Sequence, residues 1–235
     1  MQRGKANVTE AIFLSASVPD PKQSPRFART ADSVAITAAV GALVYVTLGR
    51  RMLVWGGHPA ITPMIWVVAE SMGVDYGKWV KLYQSRYFKD DFPEDNERFQ
   101  NVRFTDAVKD DRDNSLRLMR ERMFMEQNFE AAVFIGGMEG IVEEFDLFTK
   151  FQPDAQILPI ASTGGAAIEL AHRLKSLSKD LQDDLDYVSL FHRRLRIAPR
   201  ELRYDRPSSQ PQKREDRLWV APPKNGGSNG SNSAL

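Results

Sequence analysis

Short apolar runs alternate along this chain with longer stretches of helical periodicity. Ala11-Ile12-Phe13-Leu14 has the pattern of a buried strand and runs into the small residues Ser15-Ala16-Ser17. A loop with Pro19, Pro21 and Pro25 follows. Asp32 then stands where a cap belongs, ahead of a helix carrying Ala35, Ile36, Ala39, Val40 and Leu43 to about Thr47. Met52-Leu53-Val54-Trp55 reads as a second strand, stopped by Gly56-Gly57-His58-Pro59, and Thr62-Pro63 opens the next helix. Trp79–Tyr83 and Val102–Phe104 read as strands, separated by an acidic loop over Lys89–Asn96. Ser115–Asn128 reads as a helix, Ala131–Ile135 as a buried strand ending in Gly136-Gly137, and Gly140–Lys150 as a helix. Ile157–Ile160 is a strand ending at Ser162-Thr163-Gly164-Gly165, followed by helices over Ala166–Lys175 and Leu181–His192. Such alternation predicts βαβ units: an α/β, Rossmann-like open sheet, mostly parallel, with helices on both faces.

From Pro199 the pattern fades. Pro207–Arg214 is polar, and the stretch from Pro222 onward is dominated by Gly, Ser and Asn. The expected division is a ligand-binding domain over residues 8–198 and a polar, unstructured tail over 199–235. Leu218-Trp219-Val220 is the one docking contact expected within that tail. Repeats are absent; the recurring Gly-Gly is a repetition of geometry rather than of sequence.

Charge and composition narrow the chemistry. Lys and Arg number 32 and Asp and Glu 31, for a formal net charge of +1. That balance argues against a surface made for nucleic acid, which needs a concentrated positive field. With no cysteine there is no disulfide, no thiolate nucleophile and no Cys-bound zinc; with three histidines, His58, His172 and His192, the composition argues against a His-rich metal site. No metal or organic cofactor is expected. No run reaches the ~18 apolar residues of a membrane span, and the run at Ala11–Leu14 is too short for a secretory signal. A cytoplasmic protein without membrane contact is the expectation.

Three strands end in Gly-Gly: Gly56-Gly57, Gly136-Gly137 and Gly164-Gly165. Glycine at a βα turn lets the backbone approach a ligand and aim N–H groups at it, and the following helix adds its positive dipole end. In a parallel sheet such loops gather at the carboxyl edge of the strands. The plain alternative is that each pair serves only a tight turn. Neither G-x-G-x-x-G nor the Walker A pattern is present, so hydride transfer and ATP hydrolysis lose support. Ser15 and Ser17 can still offer hydroxyls to a phosphate or a ribose.

Taken together these segments resemble the SLOG superfamily, which includes the LOG-type phosphoribohydrolases and the ligand-sensing regions of TRPM channels. The resemblance covers roughly residues 10–175. Met52–Gly57 is similar to the family's second strand and Gly-Gly loop. Ala131–Glu144, containing Ile135-Gly136-Gly137-Met138-Glu139-Gly140-Ile141, resembles the LOG pattern P-G-G-x-G-T-x-x-E. Met119-Arg120-Glu121-Arg122-Met123 resembles the arginine-bearing helix ahead of it. With Ile12–Pro21, Gly56–Pro63 and Ala161–Ala167, the whole is similar to a bacterial subgroup inferred to sense nucleotide-derived signals in antiviral systems. The chain departs from the LOG pattern at Ile135 in place of Pro, at the extra residue Glu139, and at Ile141 in place of Thr.

The resemblance implies a ligand site of Ser15, Ser17, Gly56, Gly57, His58, Arg122, Gly136, Gly137, Met138, Glu139, Gly140, Thr163, Gly164 and Gly165. For an enzyme it implies Arg122, Glu143 and Glu144 as the groups acting on an N-glycosidic bond, since an Arg fork grips phosphate and a carboxylate stabilises oxocarbenium character or activates water. The plainer readings are surface pairs of Arg120 and Arg122 with Glu121 or Glu126 on opposite sides of a helix, Glu143 and Glu144 as first-turn acids, and His58 as a turn histidine. His172, His192 and Arg193-Arg194-x-Arg196 read as solvated or structural, and Trp55, Trp66 and Trp79 as packing residues. A sensor of a nucleotide-derived ligand is the first expectation. A phosphoribohydrolase acting on a nucleoside 5'-monophosphate is the second, and a scaffold with a vestigial pocket the third. Self-association and an effector protein as partner follow from the resemblance alone.

Overall fold

The computed structural model describes residues 11–73, 75–92 and 94–220. Its strands are β1 (Ala11–Ser17), β2 (Met52–Trp55), β3 (Val80–Ser85), β4 (Val102–Thr105), β5 (Phe129–Gly136) and β6 (Gln156–Ile160). All pair in parallel in the order β4-β3-β2-β1-β5-β6. The chain winds outward from β1 to β4, then returns to the other side of β1 for β5 and β6. The reversal beside β1 leaves a crevice at the carboxyl edge of the sheet, where an open α/β sheet places its ligands. The architecture is an open Rossmann-like α/β fold.

Period-two alternation assigns the two faces. Ile12, Leu14 and Ala16 of β1 pack with α2 (Ser33–Thr47), α3 (Thr62–Ser71) and α9 (Tyr187–Arg194). Ala11 and Phe13 join the other face under α5 (Arg112–Glu126), α6 (Glu139–Phe151) and α7 (Ala166–Arg173). There Phe13 lies edge-on to Phe124 at 4.9 Å and stacked on Phe148 at 5.5 Å. Short helices α1 (Pro25–Ala28), α4 (Tyr76–Trp79) and α8 (Lys179–Asp183) fill the connections. Trp55 and Trp79 are buried, and Trp66 is half-buried beneath the Arg98 guanidinium.

Capping sets several boundaries. The Asp32 carboxylate accepts from the Val34 and Ala35 N–H groups and starts α2. Asp111 accepts from the Asn114 N–H, so α5 begins at Arg112 rather than Ser115. The single helix expected over Leu181–His192 is two. Asp184 accepts from the Asp186 N–H and Asp186 from the Ser189 N–H, side-chain bonds that break one helix and cap the next. Within the loop expected over Lys89–Asn96, Arg86–Asp91 and Glu94–Arg98 form two 3-10 turns.

The boundary expected at residue 198 is corrected for residues 199–220. This segment runs along the amino-terminal edge of the sheet and is tied down by buried polar contacts. Arg51, 1% exposed, bonds Glu201, 3% exposed, at 2.6 Å. The Trp79 indole N–H donates to the Tyr204 carbonyl at 2.6 Å, Gln210 donates to the Arg50 carbonyl, and Arg214 pairs with Glu130. Polar composition misled here because the segment is anchored by charge pairs and carbonyls rather than by an apolar face. The expectation of disorder over 221–235 lies outside the described residues. Among the described residues no helix is long and apolar enough to cross a membrane.

Candidate functional site

The crevice encloses about 560 Å³ where the ends of β1, β2 and β3 meet the start of α6. Odd positions of β1 face α5 and α6, so Ser15 and Ser17 follow Phe13 to that side. The Ser15 hydroxyl donates to Glu144 Oε2 at 2.6 Å. Glu144 and Glu143 lie in the opening turns of α6, and both are held by one guanidinium from α5. Arg120 Nε is 3.2 Å from Glu144 Oε1, Nη1 is 2.6 Å from Glu143 Oε2, and Nη2 donates to the Gly140 carbonyl at 3.4 Å. Arg120 is 8% exposed and Glu144 16%, so this pair is largely shielded from water; Glu143, 66% exposed, is not.

The arginine in the crevice is thus Arg120; Arg122, expected there from sequence, is placed outside it. Ser115, Met119 and Met123 form the buried stripe of α5. Arg120 borders that stripe, whereas Arg122 is exposed and lines a separate cavity on the other flank of the helix. The methionine spacing was the signal that could have chosen between them.

The β2 loop delivers Gly56, Gly57 and His58 to the rim. A Cβ on Gly56 would sit 3.9 Å from Glu144 Oε1, so this backbone runs beside the carboxylate. Gly57 has φ +74° and Leu82 and Gln84 crowd the space a side chain would need. His58 Nδ1 accepts from the Ala60 N–H at 3.3 Å. Burial lowers the His58 pKa, with the Glu144 charge acting the other way.

At α6, Met138 provides no side-chain cap; the Glu139 N–H bonds its own carboxylate and the Ile141 N–H bonds the Met138 carbonyl, which leaves the Gly140 N–H as the first-turn donor facing the crevice. Glu139 stands in the crevice wall beside the loop after β1: the Ser24 hydroxyl donates to its Oε2 at 2.6 Å. That bond, with the residue's own backbone N–H, holds the carboxyl below its usual range. Ser24 and the Phe88–Phe92 turn were missed from sequence because segments of no apolar periodicity bring them in; Gln84, at the end of β3, and Arg112, at the start of α5, were missed because each lies at the margin of an element whose end was not placed at the crevice.

The remaining glycines serve the frame rather than the cavity wall. The Gly136 N–H donates to Thr163 Oγ1 at 2.8 Å and the Gly137 N–H to the Ser17 carbonyl at 2.8 Å. Thr163, Gly164 and Gly165 are buried beneath them. The Ala166 N–H donates to the Gly137 carbonyl, and the Gly165 N–H to Thr30 Oγ1. These residues prop the β5 loop against the turn before α2, and their N–H groups are spent within the protein. His172 is exposed, and His192 Nδ1 lies 2.7 Å from the Ile197 carbonyl in a structural contact.

The wall carries the carboxylates of Asp91, Glu139, Glu143 and Glu144 against the guanidiniums of Arg112 and Arg120. Such a lining accepts hydrogen bonds from sugar hydroxyls, with an anionic group confined to the helix terminus and the arginines. No curated protein matches the chain. The SLOG cluster3 family matches it over residues 26–195, which span every strand but β1 and every crevice-forming helix. The chain belongs to the SLOG cluster3 family.

Proposed function

We propose that the crevice binds a nucleotide-derived ligand, a nucleoside phosphate or an ADP-ribose-like molecule, and that the protein is a sensor of it in bacterial antiviral defence. One observation carries this reading: serine hydroxyls and carboxylates face the uncapped first turn of α6 at the switch point of the sheet. Ribose hydroxyls donate to the carboxylates, while the Gly140 N–H, the positive end of α6 and Arg112 receive a phosphate. The output expected on binding is a change in self-association or in contact with an effector protein.

The Arg120–Glu144–Ser15 arrangement supports a second reading, a phosphoribohydrolase acting on a nucleoside 5'-monophosphate. It sets a carboxylate and an arginine side by side within the crevice. Glu144 would stabilise positive charge at the anomeric carbon, and Arg120 would fix its orientation.

Thermal melting with AMP and ADP-ribose, together with chromatography for free adenine, separates the two. A ligand selective for the folded state raises the melting temperature. Stabilisation without adenine release supports the sensor, whereas adenine release that disappears in Glu144→Gln supports the hydrolase. Neither stabilisation nor release, across a panel of nucleotides, would overturn both.

A further inference from the structure

Arg122, turned away from the crevice, ends in a cavity of about 560 Å³ beside the outer edge of the sheet. Its floor comes from β3 and β4. Tyr83 pairs with Arg103, so Lys81, Tyr83, Arg103 and Thr105 share one face of the two strands. Its wall comes from Leu118, Arg122 and Glu126, spaced four apart on one face of α5. β4 is the edge strand, so α5 overhangs its face from one side only and leaves a slot.

The polar groups in this slot are unevenly matched. Glu126 Oε2 accepts from the Tyr83 hydroxyl at 3.0 Å, Gln127 donates to that hydroxyl at 3.0 Å, and Lys81 Nζ donates to Gln127 Oε1 at 3.1 Å. Burial and the Glu126 charge raise the Tyr83 pKa, so the phenol stays a donor. Lys81 therefore spends its bond on a neutral amide. Its pKa is lowered by burial and by the nearby Arg103. Neither Arg103 nor Arg122 has a hydrogen-bond or ion-pair partner among the described residues. The other carboxylate of the lining, Asp106, is 92% exposed and pairs outward with Arg86 at 3.4 Å. Three cations thus converge on a space whose one inward carboxylate, Glu126, is engaged by a tyrosine.

We infer that this cavity is a second ligand site, separate from the crevice, for a phosphorylated small molecule whose phosphate lies between Lys81, Arg103 and Arg122. Three cations against one carboxylate leave two positive charges, the complement of a phosphate monoester dianion rather than of a monocarboxylate. The volume lies within the range of small-molecule sites and far exceeds a bare phosphate, so the ligand carries a body that packs on Leu118 and the rim at Phe104. This inference does not depend on what the crevice binds.

Amide NMR titration of the whole chain with inorganic phosphate, phenyl phosphate and acetate tests it. Saturable shifts are expected for residues 81–83, 103–105 and 118–126, with phenyl phosphate bound more tightly than phosphate and acetate more weakly than either. Amides of Gly56 and Gly140 report separately on the crevice. Arg103→Gln and Arg122→Gln each remove one charge-assisted contact from an exposed side chain; each should weaken phenyl phosphate binding by about tenfold and leave the melting temperature unchanged. The inference is overturned by shifts confined to the crevice amides, by non-saturating shifts, or by wild-type affinity in the Arg103→Gln/Arg122→Gln double variant.

Discussion

Arg120 and Arg122 lie about 200° apart around their helix, so one residue of sequence divides a shielded ion pair from a solvated cation. Arg120→Ala leaves Glu144 without its cation at 16% exposure and should cost about 2 kcal/mol in urea denaturation. Arg122→Ala should stay within about 0.5 kcal/mol in the same measurement. Finding equal costs would show that the Arg120–Glu144 pair contributes no more than a surface contact. His58 gives a pH signature. Its lowered pKa favours the neutral ring at and above the ordinary value of 6.5, so affinity for ADP-ribose, whose pyrophosphate does not titrate in that range, should change little there and shift at lower pH, where the ring gains a proton. Calorimetry across that range, repeated on His58→Gln, checks it, and an unchanged profile in the variant would assign the titration to another group. The motif around Gly136 and Glu144 was legible because it is contiguous. The arginine was not, because choosing it required knowing which side of α5 faces the sheet.

At the scale of elements, the third glycine pair shows what its sequence pattern concealed. Gly164 has φ +75°, and a Cβ there would lie 2.8 Å from the Ala31 Cα and collide with the Thr30 carbonyl. Gly164→Ala should therefore cost more than about 2 kcal/mol in urea denaturation, although the residue is not part of the crevice wall. A turn glycine of positive φ without such contacts would cost about 1–2 kcal/mol. In the same region Asp180 joins α8 to α9 by bonding Arg194, and this pairing lowers its carboxyl to about 2. A depressed carboxylate contributes stability above its unfolded value near 3.8 that is lost as pH falls toward 2. The melting temperature of Asp180→Asn should accordingly lie below that of the wild type at pH 6, with the gap closing between about pH 4 and pH 2. Strands β1, β2, β5 and β6 were legible since each is an apolar run ending in small residues. The break at Asp184–Asp186 was hidden because it depends on side chains bonding backbone groups two and three residues away, which leaves apolar periodicity intact.

Across the whole molecule, the carboxyl-terminal segment closes the end of the sheet opposite the crevice. Glu201→Ala strips the buried Arg51 of its nearest carboxylate and should cost about 3 kcal/mol, measured by urea denaturation, because the charge stays buried. A cost below about 1 kcal/mol would mean that Glu130, 3.5 Å from Arg51 Nε, suffices alone. This tie was invisible from sequence, since it joins residues 150 positions apart through charges that composition marks as surface.

The placement of that segment also decides how the protein can be handled. Val220 is exposed and follows a backbone bond from the Trp219 N–H to the Arg200 carbonyl, at the pole where the strands begin. The length of β1, about 23 Å at 3.3 Å per residue, separates this pole from the crevice. The chain has no cysteine, so Val220→Cys would supply a unique handle. A protein anchored to a sensor chip or a fluorophore through that thiol would present its crevice outward, unobstructed by the attachment.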